Sequence, residues 1–99
     1  MSEDGSGGFA LPAFNAGNAL LQFKRALRDL ALVERGNGFE LRGKRVVELD
    51  VVGPVITVRL ARQLALTPQW DGVTVKSAGD QRKLVDEVKK RLARWAQED

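Results

Sequence analysis

Apolar residues recur along this chain with two different periods. From Ala16 to Leu30 they return every three or four positions, from Phe39 to Lys76 they alternate with polar ones, and from Leu84 to Trp95 the wider spacing comes back. The pattern predicts a helix, an antiparallel sheet and a second helix. The first helix is expected to begin at Asn15 or Asn18, whose side chains accept from free backbone amides. It is expected to stop at Gly36-Asn37-Gly38, where a positive φ costs little. Leu20, Phe23, Leu27 and Leu30, with Ala16, Ala19 and Ala26 beside them, make its buried face. Leu21 and Leu32 project from the opposite side, among Arg25, Arg28 and Arg35.

In the alternating region, parity decides which residues share a face. For Val47, Leu49 and Val51 to lie on the side of Phe39 and Leu41, the turn between them must be odd, so Gly43-Lys44-Arg45 is the expected loop, with Arg42 opposite Val46. At Val52-Gly53-Pro54-Val55 the same reasoning sets Val51 opposite Ile56, Leu49 opposite Val58 and Val47 opposite Leu60. Glu48 then meets Arg59 on the other face. Arg59 to Leu66 is compatible with a strand running on through Leu64 and Leu66 or with a short helical turn. Thr67-Pro68-Gln69-Trp70-Asp71-Gly72 reads as a loop, and Val73 to Lys76 as a short last strand.

The second helix has Ser77 as its cap and Asp80, three residues on, as the acidic partner. Leu84, Val85, Val88, Leu92 and Trp95 form its apolar stripe. Two helices and one sheet, each with one apolar face, predict an α+β two-layer sandwich of order α-β-β-β-β-α. Its sheet would be an antiparallel meander of three to four strands with both helices packed on one face.

Ninety-nine residues with 43% hydrophobic content suffice for one domain. It is expected over residues 10–97, between a Gly/Ser-rich tail at 1–9 and a frayed acidic end at 98–99. No apolar run approaches the roughly 20 residues that a bilayer span needs, and the start lacks the basic and apolar regions of a signal peptide, so a soluble cytoplasmic protein with no membrane partner is expected.

Cysteine, histidine and tyrosine are absent. Disulfides, thiolate and imidazole metal ligands, a cysteine nucleophile and a histidine base are thereby excluded. Catalysis would have to rest on carboxylates, lysines, arginines or hydroxyls, and Ser77, the lone serine of the predicted domain, is assigned to a cap. Acidic residues occur singly, without calcium-loop spacing. Neither metal nor cofactor is expected, and the reading is a non-enzymatic interaction or assembly module.

Two partner classes remain. Leu21 and Leu32 with Arg25, Arg28 and the loop Trp70 form a candidate protein interface, since aromatic and Arg residues are enriched at interface centres. Self-association through the first helix or an edge strand is the leading version. The alternative is nucleic acid. Sixteen Lys and Arg against thirteen Asp and Glu give +3, and four of the acids lie at the extreme ends. Arg42, Lys44 and Arg45 cluster at a hairpin tip, and Lys83, Lys89, Lys90 and Arg94 on the second helix, a charge arrangement that can follow phosphates. Asp86 before Lys90 and Glu87 before Arg91 supply the competing account, ordinary pairs along a solvated helix. The outer sheet face, with Glu40, Arg42, Val46, Glu48, Asp50, Thr57, Arg59, Thr74 and Lys76, is expected to lack the aromatic rings on which single strands stack.

Overall fold

The computed structural model describes residues Phe14–Glu98, and the tail expected at 1–9 lies outside them. Helix α1 spans Ala16–Asp29, capped by Asn15, whose Oδ1 accepts from the Asn18 amide at 3.0 Å. Ala16, Ala19, Phe23 and Leu27 are its buried residues. The helix ends well before the expected Gly36. Ala31 takes a left-handed φ of 66°, its N–H donates to Arg28 O at 2.9 Å, and the Leu32 N–H donates to Leu27 O at 3.2 Å. Those are the two bonds of a Schellman close, with an alanine where glycine is the usual signal. Leu32 is thereby folded back beside Leu27 into the core, 4% exposed, and does not lie on the outer side of the helix.

The chain freed by this early stop makes one more strand than expected. Strand β1 (Val33–Arg35) turns at Gly36-Asn37 into β2 (Gly38–Leu41), followed by β3 (Lys44–Val52), β4 (Val55–Ala61) and β5 (Trp70–Val75). The five form one antiparallel sheet in chain order. Between β3 and β4 the register is the expected one, including Leu49 opposite Val58 and Glu48 opposite Arg59.

The expected odd loop between β2 and β3 is not formed. Leu41 pairs with Lys44 around Arg42 and Gly43, at φ 55° and 78°, the double positive φ of a tight hairpin turn. A bulge restores the parity: Glu40 faces Arg45, Phe39 faces Val47, and Val46 is the residue left over. Val46, expected on the outer face, is fully buried together with Val47.

After Ala61 the chain is neither strand nor helix through 62–67, and β5 begins at Trp70, so Trp70, Asp71 and Gly72 belong to the sheet and not to a loop. Helix α2 spans Ala78–Trp95, with Ser77 Oγ accepting from the Asp80 amide at 3.1 Å. Both helices lie on one face of the sheet. Phe23 and Leu27 of α1 and Leu84, Val88 and Trp95 of α2 close over Phe39, Val47, Leu49, Ile56, Val58, Leu60 and Val75 in one buried cluster. Trp95 is entirely enclosed there, and its Nε1 donates to Ala61 O at 3.2 Å. No helix of the described residues is long and apolar enough to cross a membrane.

Candidate interaction surfaces

The arginines of the hairpin tip hold the domain together. Arg42 donates from Nη1 to Glu98 O at 3.0 Å and from Nη2 to Ala96 O at 2.9 Å, satisfying carbonyls at the C-terminal end of α2. The Leu64 amide also donates to Glu98 Oε1 at 2.7 Å. Arg45 lies across the outer face of β2 and donates to Glu48 Oε2 at 2.8 Å, to Arg35 O at 3.1 Å and to Asn37 Oδ1. It covers Gly38, where an added Cβ would meet its Nη2 at 2.8 Å and collide with Val47 O.

Arg94 donates to Arg62 O at 2.9 Å, which fastens the irregular segment after β4. Lys44, Lys83, Lys89 and Lys90 make no hydrogen bond or ion pair among the described residues, and of the two pairs expected along α2 only Glu87 to Arg91 forms, at 2.8 Å. Each candidate nucleic-acid cluster is therefore mixed: its arginines are engaged by other parts of the domain, and its lysines are not.

The candidate protein interface is also divided. Leu21 is 63% exposed, and Arg25 is exposed beside it on α1, but Leu32 is core. Arg28 donates to Glu34 Oε1 at 2.9 Å, and Lys24 lies 3.1 Å from Glu34 Oε2. The Lys24 hydrogen bond, with that of Arg28, holds the Glu34 carboxyl below the usual carboxylate range. Trp70 pairs with Ala61 and so falls on the outer sheet face, with the Arg59 guanidinium 4.9 Å from its ring centroid. That face carries one aromatic after all, a single ring beneath a cation, not a row of stacking platforms.

A chain of contacts crosses the outer face. Arg35 pairs with Glu40 at 3.2 Å, and Glu48 takes both Arg45 and Arg59, the latter from Nε at 2.9 Å. Partial burial pushes the Glu48 carboxyl up, but the hydrogen bonds from Arg59 and Arg45 outweigh it and keep its pKa low. Beside α2, Asp71 accepts from Arg62 at 2.7 Å and lies 2.8 Å from Arg91 Nη2, and those two bonds hold its carboxyl low. The strand and helix edges are thus locked together by charge.

No protein-family model matches this chain, and neither a curated protein nor a solved structure matches it. Its surfaces have to be read from their own geometry.

The two edges of the sheet differ most. β1 has three residues, two of them charged, a short edge of the kind that resists further pairing. β5 has six and pairs with β4 on one side only. The Arg62 N–H donates to Gln69 O at 2.8 Å, one step beyond the Ala61–Trp70 pair. Hydrogen-bonded and open pairs alternate along an antiparallel ladder, so Asp71, Val73 and Val75 turn their main-chain groups toward β4. Trp70, Gly72 and Thr74 turn theirs toward the vacant side.

Along this edge a groove of about 270 Å³ runs between β5 and α2, walled by Val73, Thr74, Asp80, Lys83, Leu84 and Glu87. A larger groove, about 590 Å³, separates the N-terminal ends of the helices. Its two best-placed acceptors, Asn15 and Ser77, are already engaged as caps. Pro68 and Gly72 conceal the full length of β5 in the sequence, and they conceal the free edge with it.

Proposed function

We propose that this protein is a non-enzymatic interaction module that takes up a protein partner by strand addition at the free edge of β5. The observation that carries this reading is the set of outward main-chain groups at Trp70, Gly72 and Thr74, beside a groove that can receive side chains of an added strand. Backbone pairing supplies affinity and the groove supplies selectivity. The first-helix version of the interface loses its support, because Leu32 is core and Arg28 is paired with Glu34.

Selection from a displayed library of extended peptides, followed by hydrogen exchange, tests the edge directly. Bound peptide is expected to slow exchange at the Trp70, Gly72 and Thr74 amides. Gly72→Pro, which removes an outward N–H and leaves the β4 ladder intact, is expected to abolish binding without lowering the melting temperature much. Binding that survives Gly72→Pro overturns the edge reading.

A second reading rests on a separate observation, the solvent-facing lysines of α2. Nucleic-acid binding through Lys83, Lys89 and Lys90, with Lys44 on the hairpin side, predicts affinity that falls steeply with salt and drops when those lysines are neutralised. Titration of labelled duplex and single strands at low salt, with no change in anisotropy, removes this reading.

A further inference from the structure

The strand that adds to β5 is, we infer, the β5 of a second copy of this chain. The inference rests on the edge reading above and deepens it by naming the partner. What points to a second copy is the side of α2 that stands over the open edge. Asp80, Lys83 and Glu87 line the groove beside β5, and Lys90 follows at helical spacing on the same stripe. The signs alternate along it: minus, plus, minus, plus.

Such a stripe is complementary to itself when run in the opposite direction. Turned about a two-fold axis, Lys83 meets the second copy's Glu87, Glu87 meets the second copy's Lys83, and Asp80 and Lys90 meet in the same reciprocal way. A stripe of one sign would repel its own copy; this one attracts it. Lys83 and Lys90 have no other partner among the described residues. Glu87 holds Arg91 through Oε2, leaving Oε1 for a second cation, while Asp80 Oδ2 accepts from the Lys76 amide at 3.2 Å.

The strand obeys the same symmetry. An axis normal to the sheet through Val73 pairs β5 antiparallel with its copy, and the main-chain groups of Gly72 exchange hydrogen bonds with those of the second copy's Thr74. Val73 lies against the second copy's Val73 and closes the mouth of the groove. Because Val73 and Thr74 share that groove with Lys83 and Glu87, one axis serves strand and helix together. The result is an isologous dimer with one continuous sheet, in which the residue that contacts and the residue contacted change places across the axis.

Sedimentation equilibrium over a wide concentration range tests this, using wild type, K83E, E87K, their equimolar mixture and Gly72→Pro, each with a thermal melt. Wild type is expected to be a reversible dimer. K83E is expected to weaken it about tenfold or more by setting a carboxylate at position 83 against the second copy's Glu87, and E87K to do the same with two lysines. The mixture is expected to regain wild-type affinity, since an all-acidic pair of positions then faces an all-basic one. If E87K unfolds with its Arg91 contact, K83E/K90E, which alters only solvent-facing lysines, takes its place as a second dissociating variant.

A wild type that stays monomeric at every concentration, while library peptides still bind the edge, overturns the second copy and leaves strand addition standing. A dimer split by Gly72→Pro but indifferent to K83E overturns the helix pairing assigned here. A dimer indifferent to Gly72→Pro, with Trp70 and Thr74 amides exchanging freely, overturns this inference, and it overturns the edge reading as well when no library peptide slows those amides.

Discussion

The arginines around the first long hairpin and the lysines of α2 have the same charge and opposite uses. Arg42 and Arg45 each reach several acceptors at once, across strands and onto a helix end, because a planar guanidinium presents a fork of donors in fixed directions. Lys83, Lys89 and Lys90, each a hydrated point charge on a flexible stem, stand in water. Basic residues that look alike in a sequence thus divide by type: the arginines, Arg94 of α2 included, reach acceptors elsewhere in the domain, and the lysines of both clusters do not.

The contrast is sharpest at Gly38, the site Arg45 covers. Gly38→Val should destabilise the domain by about 3 kcal/mol or more, because a side chain there displaces both Arg45 and the Val47 carbonyl region. Urea unfolding gives the value, and a wild-type midpoint would mean that Arg45 is not held against β2. Arg45→Ala follows, at about 1 kcal/mol, since it takes a donor from the part-buried Glu48 and leaves two exposed acceptors to water. Arg45→Lys should recover less than half of that loss, because one ammonium cannot reach all three.

A smaller effect is expected with acid. Glu48, Asp71 and Glu34 all have carboxyls held below their ordinary values when folded. A depressed folded pKa gives stability that is complete above the unfolded value and is lost as pH falls through the folded one. Melting temperature should therefore be level near neutrality and decline below about pH 4.5. Glu48→Gln should flatten that decline, and an unchanged acid limb would show that the outer-face contacts do not matter for folding. Least affected should be K83A, K89A and K90A, each within about 0.5 kcal/mol of wild type in urea, which would complete the contrast with Arg45.

What the amino-acid pattern makes legible is whatever depends on period alone. The pairing of Val47, Leu49 and Val51 with β4, the ion pair of Glu48 with Arg59, the cap at Ser77 and the enclosure of Trp95 all follow from alternation or helical spacing. Pattern and structure part where a backbone device interrupts the period without its usual residue. Ala31 takes the conformation that glycine normally announces, so the pattern predicts too long a helix, hides β1 and points Leu32 to solvent. Val46 absorbs parity that periodicity alone attributes to the turn. Trp70 and Gly72 extend a strand in which a glycine beside a proline-containing segment argues for a loop. The candidate site is obscured in the same way, because a free sheet edge is a property of which strand comes last and has no motif.

The bulge at Val46 has a consequence for how this hairpin can vary. One surplus residue beside a two-residue turn produces the same offset as a three-residue turn with nothing surplus, so the two devices are exchangeable. A chain that gained one residue at the tip and lost Val46 would still set Phe39 against Val47 and keep every later strand in step. The tip can therefore change length without shifting the register, though the exchange removes the buried Val46 side chain from the core.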